Sequence, residues 1–535
     1  MSEMVLLGDE AVAMGAIHAG MTAGYAYPGT PSTEIMEFLR QYSKKHTKLI
    51  ADWCTNEKTA YEAALGVSFA GKRSLVAMKH VGLNVAADPF MNSAIVSIHG
   101  GLVLIVADDP GMHSSQNEQD SRYFADFARI ICLEPANQQE AYDMTREAFD
   151  LSEKFQIPVM IRLVTRLAHS RAVVKLSDPR DENKLDKAPK PSSWILLPSN
   201  ARNQWHDLLN KQNDMREYTE KSDHNPLSLN ENYRETGIIT TGLAKNYYLE
   251  NAGELAEKPS HLHVSAYPMP YEKIRTLAGH VKKVIVLEEG YPFLERFLRG
   301  ILPTAVEIIG KESGDVPAEG ELTPDNIRPV LGLSVRKGLS VSGNKPANRP
   351  PQLCAGCPHA DSFDAIKAAI KDFPNSMVTS DIGCYTLGAL PPYSAIESTV
   401  NMGASIGMAK GASDAGFHPV VAVIGDSTFL HSGVTPLIDA IATRANMTLI
   451  ILDNETTGMT GGQPTILPST RLKDVVLGLG LDESHLHVVN AHRRFTEENA
   501  VLIRKEVEHR GVSVIIAVRE CIETAKKKRK TEVSA

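Results

Sequence analysis

The chain has 535 residues, of which 43% are hydrophobic and 22% charged, and its formal net charge is −8. This composition is that of an ordinary globular protein with room for about three domains, and the acidic balance excludes the electrostatic signature of a nucleic-acid-binding protein. No apolar run approaches the roughly 18 residues of a membrane span, and the N-terminus lacks the basic region of a signal peptide, so we expect a cytoplasmic protein.

Residues 1–175 alternate short apolar segments with amphipathic ones, which predicts a parallel sheet covered by helices. The predicted strands lie in HTKLIADW, KRSLVAMKH, HGGLVLIVADD, ARIICLE and PVMIRLV, and the predicted helices in DEAVAMGAIHAGM, TEIMEFLRQYSKK and NEKTAYEAALGVSFAG. Residues 176–232 are charged and interrupted by proline at first, which predicts a linker, and they continue as one polar surface helix.

Two further α/β segments follow. Residues 233–312 contain the predicted strands TGIITTG, HLHVSA and KKVIVLEEG, and residues 313–350 form a connector rich in glycine and proline. Residues 351–535 contain predicted strands in SMVTSDIG, PVVAVIG, MTLIILDN, LHVVN and VSVIIAVRE. We therefore predict an α/β fold with three doubly wound parallel-sheet domains.

Polar residues follow two of the predicted strands of the third segment. Gly425 and Asp426 end one strand, and Asp453 and Asn454 end the next. Ligands of open parallel sheets bind at the carboxyl ends of strands, and carboxylate and amide oxygens suit Mg²⁺, which often shares them with phosphate. The alternative is an ordinary strand pair with acidic caps.

Several segments carry a resemblance to a known family. The Gly-Asp-Ser segment and Asn454, separated by 26 residues, are similar to the thiamine-diphosphate motif, with Ser427 in place of the usual glycine. LDNETTGMTGGQPT, AYPGTPSTEI, CTNEKTAYEAALG, MKHVGLNVAADP and GELTP closely resemble the 2-oxoacid:ferredoxin oxidoreductases, in particular alpha subunits of the indolepyruvate branch. The resemblance implies a pyrimidine-binding domain at 1–175, a transketolase-C-like domain at 233–312 and a diphosphate-binding domain at 351–535.

The resemblance also implies cofactors and their residues. One thiamine diphosphate and one Mg²⁺ are expected, with the metal held by the Asp426 and Asn454 side chains and the Thr456 carbonyl, and with Gly425 letting the diphosphate approach. The remaining residues expected to contact the cofactor are Met402, Gly403, Ser427 and Thr457.

Glu57 is the expected catalytic acid, because related enzymes place a glutamate at the same distance, fourteen positions, before a glycine equivalent to Gly71. A carboxyl group against the aminopyrimidine promotes the loss of the thiazolium C2 proton. Glu62 is the competing acid, and Glu57 could also be a helix-start acid favoured by the helix dipole.

Six cysteines in a chain of this kind favour thiols or metal ligands over disulfides. The Cys-x-x-Cys pair Cys354 and Cys357 could bind zinc, act as a redox dithiol or bind an iron–sulfur cluster. The resemblance implies that this pair, Cys384 and Cys521 hold one 4Fe–4S cluster near the thiazolium; the alternative for the last two is buried free thiols. The other two cysteines, Cys54 and Cys132, are expected in the core.

The substrate residues are less closely specified. The resemblance places Thr30 near a 2-oxoacid, although Thr30 could equally belong to a turn and helix cap. Asp108 and Asp109 occupy the place where pyruvate-type relatives use an arginine on the substrate carboxylate, which favours an aryl 2-oxoacid. The cations that could replace that arginine are Lys79, His80 and Arg122.

The leading hypothesis is a subunit that oxidatively decarboxylates an aryl 2-oxoacid to an acyl-CoA, with coenzyme A as co-substrate and electrons leaving through the cluster. A separate beta subunit, in a dimer of heterodimers, and ferredoxin or another electron carrier are the expected partners. We expect a form that lacks the C-terminal ferredoxin domain common among its relatives. The alternatives are a non-oxidative thiamine-dependent decarboxylase or carboligase, and a non-catalytic metal-binding scaffold.

Overall fold

The computed structural model describes residues 2–303, 305–338 and 351–534, with side chains described to residue 529. It divides into two compact units, Met1–Ser340 and Val341–Ala535. The end of the predicted connector, residues 339–350, lies outside the described residues. None of the described helices combines the length and apolar character needed to cross a membrane.

The first unit begins with alternating strands and helices, as the sequence predicts. In chain order they are β1 (Ser2–Leu7), α1 (Gly8–His18), β2 (Ala23–Ala26), α2 (Thr33–Ser43), β3 (Ile50–Trp53), α3 (Glu57–Phe69), β4 (Ser74–Lys79), α4 (His80–Val85), α5 (Ala87–Ser93), β5 (Leu102–Asp108), α6 (Arg122–Ala128), β6 (Cys132–Leu133), α7 (Gln138–Phe155), β7 (Val159–Val164), α8 (Thr165–His169) and β8 (Arg171–Leu176).

The predicted polar surface helix is confirmed, and further α/β elements follow it. They are α9 (Pro198–Lys221), β9 (Leu227–Ser228), β10 (Thr236–Thr241), α10 (Ala244–Ala252), β11 (Ser260–Val264), β12 (Ala266–Tyr267), α11 (Tyr271–His280), β13 (Lys283–Leu287), α12 (Phe293–Ile301) and β14 (Glu307–Ile309).

Two sheets form the framework of this unit. The larger has seven strands in the order β12-β6-β7-β5-β4-β2-β3, and the smaller has five in the order β14-β13-β10-β11-β9. Every residue of β4, β5 and β7 is buried, because strands covered by helices on both faces consist of near-continuous apolar runs. The domain boundaries expected at 175, 232 and 312 stay predictions.

The second unit has one five-stranded sheet and one two-stranded ribbon. Its elements are α13 (Pro358–Ile370), β15 (Met377–Thr379), α14 (Ala404–Asp414), β16 (Val420–Gly425), α15 (Asp426–Thr428), α16 (Val434–Ala442), β17 (Met447–Asp453), β18 (Thr456–Thr457), β19 (Gln463–Pro464), α17 (Ser469–Gly478), β20 (Leu486–Asn490), α18 (Thr496–Glu508), β21 (Val512–Val518) and α19 (Ile522–Ser534). The order in the sheet is β15-β16-β17-β21-β20, with every pairing parallel, and β18 pairs with β19 in the ribbon.

The α/β fold with parallel sheets is therefore confirmed, and some antiparallel pairings add to it. The short edge strands β9 and β12 run antiparallel to their neighbours. An antiparallel ribbon also joins β1 to β8. In the second unit the carboxyl ends of β16, β17 and β21 lie side by side, which is where such a sheet presents its ligand-binding residues.

Candidate functional site

Two acidic side chains meet at the carboxyl ends of β16 and β17. Asp426 accepts hydrogen bonds from the backbone N–H of Ser427 and from that of Glu455, each at 2.8 Å. Asp453 accepts one at 2.7 Å from the Ser469 hydroxyl. The Glu455 N–H also lies 3.3 Å from Asp453, so one backbone donor serves both carboxyl groups.

This pair of acids carries negative charge that the protein does not balance. Asp426 is 6% exposed and Asp453 2%, and one oxygen of Asp453 has no hydrogen-bond partner. Burial, followed by the charge of Asp453, raises the pKa of Asp426 well above its usual value. Within the described parts of the chain neither carboxyl group has a basic side chain in ion-pair contact. A divalent cation bound by these oxygens would supply the missing charge, so the residues fit Mg²⁺.

Asn454 is held in one orientation beside these acids. Its Oδ1 accepts the Thr456 N–H at 3.1 Å, and its Nδ2 donates to Nε2 of His359 at 3.1 Å. His359 can accept because burial lowers its pKa to about 4 and keeps the ring neutral. The turn that makes this possible passes through Glu455, whose φ of +61° is in the left-handed region.

The other residues expected to contact the cofactor surround the same strand ends. The Thr457 hydroxyl donates to Ser427 Oγ at 3.1 Å. Gly403 precedes α14 with φ +85°, and a Cβ there would lie 2.6 Å from Ser432 Cβ; Met402 is its neighbour.

Gly425 has a role that the sequence did not indicate. A Cβ on Gly425 would lie 2.7 Å from Cε1 of Tyr385, so the missing side chain accommodates that ring. The expectation that Gly425 lets the diphosphate approach stays a prediction, and the structure adds a packing reason for glycine at this position.

The four predicted cluster cysteines lie around this edge. Cys354 and Cys357 form a turn in which the Cys357 N–H donates to the Cys354 carbonyl at 3.0 Å, just before α13. Cys384 begins a 3₁₀ turn after β15. Cys521 follows β21, and its N–H donates to the Asn454 carbonyl at 3.2 Å.

The thiols are close enough to influence one another electrostatically. Burial, followed by the charges of Cys357, Cys521 and Cys354, raises the pKa of Cys384 to about 12. Zn–S bonds of about 2.3 Å in a tetrahedron require sulfurs roughly 3.8 Å apart, whereas no three of these sulfurs lie within 4.8 Å of one another among the described residues.

Arg519 joins the cysteine turn to the strand ends. Its backbone N–H donates to the Asp453 carbonyl at 2.9 Å. Its guanidinium donates to Asp361 at 2.6 Å and to the Gly356 carbonyl at 3.3 Å. The sequence did not indicate Arg519, His359 or Tyr385 as site residues, and the only available signal was the polar character of Arg519 directly after a strand.

Glu57 begins α3 in the first unit. Asn56 caps the helix by accepting the Thr59 N–H at 2.9 Å, so Glu57 is not needed as the cap. Glu57 is 4% exposed, and a Cβ on Gly82 would lie 2.5 Å from its Oε1. Glu62, the competing acid, is exposed and paired with Lys58, which favours Glu57 as the functional carboxyl group.

Lys79 is the substrate-site candidate whose environment resembles a binding site. It is buried at the end of β4, where its Nζ donates to the Ser114 carbonyl at 2.9 Å. Burial lowers its pKa to about 8, although the charges of Asp109 and Glu57 act in the opposite direction. The structure thus brings Lys79 and Glu57 together within electrostatic reach.

The Thr30 loop lies against the same lysine. A Cβ on Gly29 would lie 3.2 Å from the Lys79 side chain. The Thr30 carbonyl accepts the Ser114 hydroxyl at 3.1 Å, and Ser114 also accepts from Lys79. Thr30 and Lys79 therefore belong to one region at the carboxyl edge of the seven-stranded sheet.

The other two cations are buried in different surroundings. Arg122 is 1% exposed and pairs with Asp120 at 2.5 Å and Glu288 at 3.0 Å. His80 is buried, with Nε2 3.2 Å from the Asn117 carbonyl. Because buried acids already take the charge of Arg122, its geometry argues against a role in binding a substrate carboxylate.

Two family models match the chain. Residues 14–225 match "Pyruvate flavodoxin/ferredoxin oxidoreductase, thiamine diP-bdg", and residues 381–516 match "Thiamine pyrophosphate enzyme, C-terminal TPP binding domain". The 2-oxoglutarate:ferredoxin oxidoreductase of Magnetococcus marinus shares the fold over 61% of this chain and 64% of its own, with a TM-score of 0.51 and 19% identity.

Relatives match over nearly the whole chain. The indolepyruvate oxidoreductase subunit IorA of Archaeoglobus fulgidus is 39% identical over 97% of this chain and 86% of its own length. The corresponding subunit of Thermococcus kodakarensis is 37% identical, with the same two coverages. This chain therefore belongs to the family of indolepyruvate oxidoreductase IorA subunits, which are thiamine-diphosphate-dependent 2-oxoacid oxidoreductases.

Proposed function

We propose that the chain is the catalytic subunit of an enzyme that oxidatively decarboxylates an aryl 2-oxoacid in the presence of coenzyme A. The products are an acyl-CoA, carbon dioxide, one proton and two electrons, which balances the substrate's single negative charge and the coenzyme A thiol. The relatives' name, indolepyruvate oxidoreductase, supports an aryl substrate. A beta subunit in a hetero-oligomer and ferredoxin or a similar carrier complete the proposal, in which the electrons leave through one 4Fe–4S cluster.

The hydrogen bond between Cys521 and Asn454 is the observation that carries the proposal. It connects Cys521, which follows β21, to Asn454, which follows β17 next to Asp453. The proposed metal-and-diphosphate site and the proposed four-thiol site would therefore share one edge of one sheet. An oxidative enzyme needs both sites at close range, whereas a non-oxidative thiamine enzyme needs only the first.

The chain's own residues have distinct tasks in this proposal. Asp426, Asn454 and the Thr456 carbonyl would hold Mg²⁺, and His359 keeps the Asn454 amide turned so that Oδ1 faces the turn. Glu57 would hold the proton that is exchanged with the aminopyrimidine. Thiamine diphosphate, when bound, supplies the carbanion chemistry that no side chain can provide.

The substrate carboxylate is assigned to Lys79, with Thr30 beside it. A buried ammonium group gains more from pairing with an anion than an exposed one does, because water does not compete for it. Lys79 already binds a carbonyl oxygen of the Ser114 loop, and a substrate carboxylate would replace that neutral acceptor with a charged one.

The four cysteines, Cys354, Cys357, Cys384 and Cys521, would hold the 4Fe–4S cluster, which accepts electrons one at a time. A non-oxidative decarboxylase or carboligase would have no use for them, and a non-catalytic scaffold would have no use for a buried Glu57 packed closely against Gly82. Iron content separates the first alternative from the proposal, and proton exchange on thiamine separates the second.

Replacing Asp426 with alanine tests the cofactor site. We expect Asp426→Ala to abolish retention of thiamine diphosphate with Mg²⁺ while the circular-dichroism spectrum stays that of the wild type. Asp414→Ala is the matched control, because Asp414 is exposed on α14 and paired with Lys410. Calorimetric titration that finds wild-type cofactor affinity in Asp426→Ala would overturn the assignment.

A further inference from the structure

Three side chains that could bind a metal converge in the first unit. Asp9 lies in the first turn of α1, Glu34 in the first turn of α2, and His169 ends α8. One ligand atom from each lies within 4.8 Å of the other two. His169 Nε2 is 3.4 Å from Glu34 Oε2, so an imidazole and a carboxylate already face each other.

Asp9 gives the second, independent sign of a ligand. It is 0% exposed, and neither of its carboxyl oxygens has a hydrogen-bond partner. Acids in the first helical turn ordinarily satisfy backbone N–H groups, but here Glu10 does so, accepting the Leu7 N–H at 2.8 Å. A buried carboxyl group that caps nothing is costly, and a cation bound in the cluster would give it a partner.

The charges around the cluster are mostly negative. Burial, then the charges of Glu34 and Glu10, raise the pKa of Asp9 well above its usual value. Asp109 is also near enough to act on His169. The N–H of Ile35 is near enough to favour the charged form of Asp9, although it does not reach hydrogen-bond geometry with either carboxyl oxygen. His169 is the one basic group among those whose charges act on Asp9, Glu34 or His169 in the described structure.

We propose that Asp9, Glu34 and His169 form a binding site for a divalent transition-metal cation such as Mn²⁺, Fe²⁺ or Zn²⁺. Two carboxylates with one imidazole match the mixed oxygen and nitrogen ligands that these ions accept. Glu34 and His169 are partly exposed, which provides an entry path and leaves room for water to complete the coordination.

The site is connected to the Thr30 loop. The Gly29 N–H donates to the hydroxyl of Thr33, the first residue of α2, at 3.0 Å, and Glu34 is the next residue. A cation at Glu34 would therefore fasten the start of α2 to α1 and α8, and would hold in place the loop that lies against Lys79.

The test uses the full-length protein, freed of metal and thiamine, with Mn²⁺ as the probe. We expect one bound Mn²⁺ per chain to show nitrogen coupling in pulsed electron paramagnetic resonance, because His169 supplies an imidazole, whereas the residues assigned to the Asp426 site supply only oxygens. His169→Asn should abolish that coupling. Glu34→Gln should weaken Mn²⁺ binding at least about 10-fold. Mutating a residue that only hydrogen-bonds to a metal ligand already costs about 10- to 100-fold in affinity, and Glu34 is itself a proposed ligand.

Two controls make the result decisive. Glu10→Gln removes a neighbouring acid outside the cluster, and Asp426→Ala removes the other proposed metal site, so both should keep the nitrogen-coupled Mn²⁺. Mn²⁺ should also raise the Tm of the wild type and not that of Glu34→Gln. A wild type that binds no nitrogen-coupled Mn²⁺ at millimolar concentration, or coupling that persists in His169→Asn, would contradict the proposal.

Discussion

Gly82→Ala isolates the position of Glu57 from its chemistry. A Cβ on Gly82 would lie 2.5, 2.8 and 2.9 Å from Oε1, Cγ and Cδ of Glu57, where ordinary contact begins at 3.4 Å. The end of the glutamate must therefore retreat by about 0.9 Å, and a displacement of about 1 Å can cost on the order of 10² in rate. The backbone itself should tolerate alanine, because Gly82 lies inside α4 and alanine favours helix by roughly 0.5–1 kcal/mol.

The assay is hydrogen–deuterium exchange at C2 of bound thiamine diphosphate, followed by NMR after acid quench. We expect Gly82→Ala to bind the cofactor and slow exchange about 10²-fold, and Glu57→Gln to slow it by about 10² to 10⁴. The double variant should be no slower than Glu57→Gln, because both changes act through one group.

Gly66→Ala is the matched control. Gly66 lies in α3, the helix that Glu57 begins, and a Cβ there meets nothing within 4 Å. It should leave exchange unchanged and the protein equally or more stable. Wild-type exchange in Gly82→Ala, with unaltered cofactor binding, would refute the reasoning and assign the proton transfer to another acid.

Three further predictions concern the other parts of the site. Cys521→Ala should lose or damage the cluster, while the same change at Cys132, which is buried in the core of the first unit, should leave the iron content and visible spectrum intact. Burial lowers the pKa of Lys79 to about 8, and only its charged form attracts a carboxylate, so KM for the 2-oxoacid should rise as pH increases through about 8. Lys79→Arg should remove that rise. A pH-independent wild-type KM would exclude Lys79 as the group that binds the substrate carboxylate. His359→Leu should raise the Mg²⁺ concentration needed for half-saturation by about 10- to 100-fold. His359→Gln should recover much of the lost Mg²⁺ affinity, because glutamine restores a hydrogen-bond acceptor for Asn454. Equal losses of Mg²⁺ affinity in the two variants would contradict the positioning role of His359.

Much of the fold could be predicted because its strands are local signals. The apolar runs of β4, β5, β16, β17 and β21 predict strands that are buried on both faces. The ribbon of β1 and β8 could not be predicted, because β1 is mostly exposed and its partner lies far along the chain. The two-residue strands β9 and β12 are too short to carry a pattern.

The same distinction between local sequence signals and long-range packing applies to the residues of the candidate site. Asp426 and Asn454 could be proposed from sequence because residues after parallel strands meet at one edge. His359 and Arg519 could not, because their partners Asn454 and Asp361 are distant in sequence and the contacts depend on packing. Arg122 shows the opposite case: its basic side chain suggested a free cation, while the acid that engages it at 3.0 Å, Glu288, comes from a remote segment.

The central claim is that thiamine chemistry and a four-thiolate cluster operate together in this enzyme. The most direct measurement is electron paramagnetic resonance of anaerobically purified protein, with its co-purifying subunit, before and after addition of an aryl 2-oxoacid, alongside iron and zinc analysis. The account predicts about four irons per chain from this site and a reduced-cluster signal that appears with substrate and is absent in Cys521→Ala and Glu57→Gln. Protein that contains zinc without iron, or a cluster that substrate never reduces, would contradict it.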